Sequence, residues 1–237
     1  MGLTARVFPD RAAAGAALAH EMQQRPLPKP VLVLALPRGG VPVAYEVARA
    51  LDAPLDVMLV RKVGMPGQPE LAIGAVASGD IVVHEPTIEQ EIPGIAAAFE
   101  LLAAQERREL LRREQIYRSG LAPLELQGQT VILVDDGLAT GSSMLAAVRA
   151  ARAAGAAAIV VAAPVASPQA AQLLAAEADQ LAILQIPAML FAIGEWYERF
   201  EQLEDEEVCR LLELLRRRRR ESGAADSNGV GPGRDGP

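Results

Sequence analysis

Residues 130–143 read TVILVDDGLATGSS. An apolar, β-branched run ends in two adjacent carboxylates, Asp135 and Asp136, and a stretch of Gly, Ala, Thr and Ser follows. Such a run, bounded by polar residues, reads as a strand covered on both faces. Successive strand side chains point to opposite sides, so the two acids cannot both face one way while the strand continues regularly. Their like charges need a partner: a metal ion, a basic side chain or hydroxyl donors on a ligand. The small residues 137–143 let backbone N–H groups approach a bound molecule. Thr140, Ser142 and Ser143 add hydroxyls, and a helix starting near Ser142 presents the free N–H groups that favour phosphate. One loop therefore offers acceptors for a diol and then a cradle for a phosphate, a layout suited to ribose 5-phosphate. It lacks the Gly-Lys-Ser/Thr ending of a Walker A loop and is no GxGxxG fingerprint.

The same strand signal recurs at VLVLAL (31–36), LDVMLV (55–60), AIVVAAPV (158–165) and LAILQI (181–186). Helices are expected between these strands. One runs over 11–24, capped by Asp10, and one over 41–51. A long charged helix covers 95–118, with Phe99, Ala103, Leu110 and Tyr117 on one face beside Leu102. Further helices cover 142–154, ended by Gly155, a short segment opened by Ser167 and Pro168, and 205–217. Strand and helix in alternation predict an α/β fold, a parallel sheet with helices on both faces. Ligands of such sheets bind beyond the carboxyl ends of the strands. Between the second and third helices, RKVGMPGQPE (61–70) reads as a mobile loop. ELAIGAVASGDIVVHE (70–85) reads as two strands around a Ser-Gly-Asp turn. The ordered domain is expected to span 1–217 and the tail 218–237 to be disordered, with the arginine run 216–220 a solvated helix end.

Composition narrows the function classes. Of 237 residues, 51% are apolar and 3% aromatic, which favours a core of Ala, Leu and Val. The net charge of −7 gives no global attraction to nucleic acid or an acidic membrane. The single cysteine, Cys209, excludes a disulfide within the chain and argues against a cysteine-based metal site. It is read as packing, and the isolated His20 and His84 as structural. No stretch reaches membrane-spanning length without charges, and the first residues lack the basic start and apolar core of a signal peptide. A reducing cytoplasm is the expected location.

VILVDDGLATGSS (131–143) resembles the phosphoribosyl pyrophosphate (PRPP) motif of type I phosphoribosyltransferases in length, order and structural context. PRGG (37–40) follows a buried strand where that family has its pyrophosphate loop, often with a non-proline cis peptide. Arg61 and Lys62, followed by a Gly/Pro-rich stretch, resemble the basic pair that opens the family's flexible loop. With LALPRGGVPVA (34–44), VRKVGMPGQPELAIGAVA (60–77) and IGEWYERF (193–200), the pattern is similar to a bacterial branch of the family with no settled substrate, over most of residues 6–215.

The resemblance implies a Rossmann-like type I fold with a flexible loop and a small hood at about 187–200. It implies Mg²⁺-dependent transfer of phosphoribosyl from PRPP to a nucleobase-like acceptor, with release of pyrophosphate. Asp135 and Asp136 would hold the ribose hydroxyls, directly or through waters of the metal. Gly137, Ala139, Thr140, Gly141, Ser142 and Ser143 would form the 5-phosphate loop, and Arg38, Gly39 and Gly40 would contact the diphosphate. Arg61 and Lys62 would offset charge on the leaving group. Members that use hypoxanthine or guanine have an Asp three residues after the second acid, where this chain has Ala139. Trp196 and Tyr197 would either stack on a flat acceptor or form the core of the hood. A homodimer is common in the family. The alternative implied function is a PRPP-binding regulator with little catalysis. Asn at both 135 and 136 is expected to abolish PRPP·Mg²⁺ binding without disturbing the fold, and a cut after Arg217 to leave activity unchanged.

Overall fold

The computed structural model describes residues 7–84 and 95–227. The expectations for the chain's first residues, for Glu85 and for residues 228–237 fall outside that range. Five strands form one parallel sheet in the order β2-β1-β6-β7-β8. They are β1 (Val31–Ala35), β2 (Leu55–Val57), β6 (Thr130–Val134), β7 (Ala158–Val165) and β8 (Gln180–Gln185). The register pairs Val31 with Thr130 and Ala35 with Val134, so β1 and β6 end side by side. That alignment brings the PRGG turn next to the two aspartates.

The apolar runs follow from burial on both faces. Val33, Ala35, Ile132, Val134, Val160 and Ala162 share a core with helices α1 (Arg11–Gln23) and α2 (Gly40–Leu51). The alternating residues Leu34, Val131, Leu133, Ile159 and Val161 pack against α4 (Ser142–Ala153) and α5 (Pro168–Ala175). The expected caps are present: Asp10 accepts from the Ala13 N–H, and Ser167 accepts from the Ala170 N–H, with Pro168 at the first helical position. Helix α3 (Ile95–Arg118) buries Phe99, Ala103, Leu110 and Tyr117, the stripe expected from its spacing, together with Ile95, while Leu102 is half-buried.

Three local expectations are corrected. LDVMLV is not one strand: β2 ends at Val57, and Val60 opens β3 (Val60–Met65) in a separate antiparallel sheet, β3-β4-β5. The break is held by Ser78, whose Oγ accepts from the Leu59 N–H at 3.0 Å. RKVGMPGQPE is not a loop. β3 and β4 (Gln68–Ala77) form a hairpin in which Met65 pairs with Gln68. Pro66 and Gly67 form its tip, and Gly67 has φ +80°, the conformation a tight turn takes from glycine after proline. β5 (Ile81–His84) completes the expected pair around Ser78-Gly79-Asp80.

Finally, α6 (Asp205–Ser227) passes Arg217, where the ordered part was expected to stop. Arginine is a good helix former, which lets the helix continue through 216–220, while Asp205, Glu206 and Glu207 suit the positive end of the helix dipole. Val208, Leu212 and Leu215 anchor the helix in the core.

Candidate active site

Asp135 follows β6, and its Oδ1 accepts from the Asp136 N–H at 2.9 Å. Burial first, and then the neighbouring charge of Asp136, push the Asp135 carboxyl well above the ordinary carboxylate range. Asp136 has a different environment. Its Oδ2 accepts from Arg11 Nε at 2.8 Å, and its carbonyl accepts from Tyr197 Oη at 2.6 Å. The basic partner expected for the acidic pair is therefore Arg11, at the start of α1, and it serves only one of the two. Asp135 keeps a raised proton affinity and the greater need for an external cation or hydroxyl.

The PRGG turn lies directly against both acids. The Pro37–Arg38 peptide is cis. A Cβ on Gly39 would lie 2.1 Å from Asp136 Oδ2, and one on Gly40 would lie 2.5 Å from the Val134 carbonyl. Neither position has room for a side chain. Gly40 opens α2, so the N-terminal end of a helix faces the acids here as well.

On the far side of Asp135, the 137–143 loop is tied to the next crossover. The Leu138 N–H donates to the Val165 carbonyl at 2.9 Å, and Ser167 Oγ donates to the Ala139 carbonyl at 2.6 Å. Gly141 takes φ +75° immediately before α4, leaving Ala139, Thr140 and Ser143 exposed around it. Thr140 Oγ1 lies 3.0 Å from Ser142 Oγ, which accepts from Lys62 Nζ at 3.3 Å. Lys62 thus reaches the 137–143 loop from strand β3.

A cavity of about 150 Å³ joins these parts; its lining includes Pro37, Val60, Arg61, Arg113, Asp135 and Ser143. Arg61 Nε pairs with Glu106 on α3. Arg38 lies 3.9 Å from Asp205 and 4.0 Å from Glu204, and Asp205 also accepts from the Tyr117 hydroxyl. The structure brings together Gly39, Gly40, Arg61, Lys62, Asp135, Asp136 and the 137–143 loop, while the Arg38 guanidinium is turned toward Glu204 and Asp205. Among the described residues, no group of three or more His, Cys, Asp or Glu could hold a metal ion.

Tyr197 belongs to the core of the hood. It is buried with Phe8 and Ala14, stacks on Phe200 at 5.1 Å, and burial raises its hydroxyl above the ordinary tyrosine value. Its neighbour Trp196 is half-buried in the same cluster. The exposed large apolar groups of this segment are Met189 and Phe191, at 69% and 77%. The N-terminal segment joins the 193–200 segment through Phe8, whose N–H donates to the Trp196 carbonyl.

Sequence reading missed Arg11, Arg113 and Ser167. Arg11 and Arg113 look like ordinary helix-surface charges in the sequence, and Ser167 was read only as a cap. Their roles depend on which elements the fold brings together.

A profile of the phosphoribosyl transferase domain matches residues 9–207. The chain belongs to the phosphoribosyl transferase family. Proteins of two Mycobacterium tuberculosis strains, CDC 1551 and H37Rv, whose names carry the term phosphoribosyl transferase, are each 41% identical over 230 residues. Those alignments cover 97% of this chain and 52% of each relative, so the chain spans about half the length of the curated relatives it matches. The crystal structure of TT1426 from Thermus thermophilus is 44% identical, covering 87% of this chain and 97% of that one, with a TM-score of 0.81. The type I phosphoribosyltransferase fold expected from TVILVDDGLATGSS is thus present. Among the described residues, no helix is long and apolar enough to cross a membrane.

Proposed function

We propose that this chain transfers the 5-phosphoribosyl group of PRPP to a nucleobase-like acceptor and releases pyrophosphate. The observation that carries this reading is the meeting of Asp135 with the PRGG turn, the 137–143 loop and Arg61 and Arg113 around one cleft at the carboxyl ends of β1 and β6. A bond from C1 of the ribose to the acceptor forms while the bond from C1 to the diphosphate oxygen breaks, and the electron pair leaves with pyrophosphate. Asp135 is suited to the ribose hydroxyls, because a buried carboxylate gains from any donor that stabilises its charge. Free N–H groups at the start of α4, with the Thr140 and Ser143 hydroxyls, suit the 5-phosphate. Arg38, Arg61, Lys62 and Arg113 supply fixed positive charge where the leaving group becomes more negative.

Two adjacent carboxylates without a third ligand fit a hydrated Mg²⁺, which keeps several waters and takes its remaining ligands from phosphate oxygens. Asp135 and Asp136 would hold such an ion through its waters, and it would neutralise diphosphate charge when bound. The acceptor site lies under the hood, where Phe191 offers an exposed flat ring. Ala139 leaves the loop without the acid that contacts 6-oxopurines in the family. A cytoplasmic location and a homodimer agree with this reading.

The regulatory reading has one observation in its favour. Arg38 and Arg61 are both held by acids from helices, which reduces their charge toward a ligand. Pyrophosphate release from PRPP, assayed with Mg²⁺ and a panel of bases, separates the two. Turnover with one base supports the enzyme. Saturable PRPP binding by calorimetry without turnover on any base supports the regulator.

A further inference from the structure

A second cavity, of about 460 Å³, lies at the opposite end of the sheet from the candidate active site. Leu32 near the start of β1, Leu55 at the start of β2 and Gln129 just before β6 line it. It opens at the amino ends of the strands, whereas Pro37 and Asp135 follow their carboxyl ends. Four arginines line it, Arg118, Arg216, Arg219 and Arg220, against two acids, Asp56 and Glu125. This local excess of positive charge occurs in a chain of net charge −7.

Asp56 satisfies Arg118 but not Arg216. Asp56 accepts from the Val57 N–H at 2.8 Å and from Arg118 Nε at 3.1 and 3.2 Å. Arg216 lies 3.9 Å from Asp56, beyond hydrogen-bond reach, and its buried Nη2 has no hydrogen-bond partner among the described residues. A buried guanidinium N–H without an acceptor is costly, and an anion entering the cavity would relieve that cost. Arg219 is already turned toward Asp52 at 3.7 Å, while Arg220 is exposed at the rim. The rest of the wall is apolar, with Leu55, Leu121, Leu124 and Leu215. A cavity of this volume, apolar on one side with a few convergent polar groups on the other, has the character of a small-molecule site.

We propose that this cavity binds a nucleoside monophosphate, its phosphate on Arg216 and Arg220 and its base against the leucines. Arg118 is paired with Asp56 and Arg219 with Asp52, which leaves Arg216 and Arg220 for a ligand, and a phosphate offers acceptor oxygens to both. The apolar wall would gain nothing from a bare inorganic ion. The site shares none of its lining with the cleft around Asp135. It therefore stands or falls independently of the proposed transfer reaction.

Calorimetric titration with AMP tests it. The full chain would carry Asp135→Asn and Thr140→Val, in the groups proposed for the ribose hydroxyls and the 5-phosphate, so that nucleotide binding in the transfer cleft is suppressed. Saturable AMP binding is expected to remain, and adding Arg216→Gln and Arg220→Gln should weaken it about tenfold or more. Arg216→Lys, which keeps the charge, should retain part of the affinity. Absence of saturable binding at millimolar AMP overturns the proposal. So does unchanged affinity in the arginine variant when circular dichroism shows it folded, or equal affinity for inorganic phosphate. If Arg216→Gln prevents folding, the exposed Arg220→Gln alone gives the reading. A several-fold loss supports the site and unchanged affinity overturns it.

Discussion

Arg11 Nε meets Asp136 Oδ2 at 2.8 Å, joining the first turn of α1 to the acidic pair across 125 positions. Both side chains are largely enclosed, at 12% and 14% exposure, and the Arg11 guanidinium lies 3.8 Å from the centroid of the Phe200 ring. Its Nη1 also donates to the Glu201 carbonyl. The second aspartate is therefore part of the structure that holds the hood as well as part of the site.

The expectation that Asn at both 135 and 136 leaves the fold undisturbed changes accordingly. Asp136→Asn leaves the Arg11 cation enclosed without a counter-charge, and stability should fall by about 2–4 kcal/mol. Urea denaturation of the single variant checks this. A midpoint equal to the parent's would show that the pair contributes nothing.

Asp135→Asn should have the opposite effect. The Asn Oδ1 can still accept from the residue-136 N–H, while the burial of a carboxylate next to Asp136 is relieved. A carboxyl raised in the folded state holds its proton at pH values where the unfolded chain, near the ordinary value of about 3.9, has lost it. Stability of the parent thus falls as pH rises through that window. The variant should melt higher than the parent at neutral pH, with the difference shrinking as pH approaches 4. PRPP binding should be lost at the same time. A lower melting temperature at neutral pH would contradict the assigned environment of Asp135.

Gly39→Ala would place a methyl group 2.1 Å from Asp136 Oδ2, inside any tolerable contact. Either the carboxylate or the PRGG turn must move. Displacement of about an ångström at a site of this kind costs about 100-fold in kcat/KM. Steady-state pyrophosphate release is the measurement.

Tyr197→Phe removes the hydrogen bond to the Asp136 carbonyl and keeps the ring in the Phe8–Phe200 cluster. A stability loss of about 1 kcal/mol is expected, with the acceptor KM little changed. Phe191→Ala should instead raise the acceptor KM roughly three- to tenfold, the range of a lost aromatic contact. The reverse outcome would return acceptor stacking to Tyr197.

A chain cut after Arg217 should still be active, because the transfer cleft lies at the other end of the sheet. It would lose the Arg219 contacts to Asp52 at the end of α2, at a cost of about 0.5–1 kcal/mol. Thermal denaturation and the pyrophosphate assay, run together, test both parts.

What the sequence alone determined is the set of features written in neighbouring residues. Runs such as VLVLAL and TVILV carry their own burial signal, Asp10 and Ser167 are local caps, and the helix stripes follow from spacing. The acidic pair and the small-residue loop after it were legible as a strand-to-helix turn for the same reason, since adjacent residues contain both. Tertiary structure decided what long-range pairing sets. Whether RKVGMP is a loop or a strand depended on β4 being available to pair with it. Whether Tyr197 faces a ligand or the core depended on Phe8, far away in the chain. The partner of Asp136 could not be read because Arg11 lies 125 positions away and looks like any exposed helix charge until the sheet closes. The arginine run similarly became one wall of a cavity only when α6 packed over β2 and the end of α3. Local chemistry is written in adjacent residues, whereas burial and charge pairing belong to surfaces that exist only after packing.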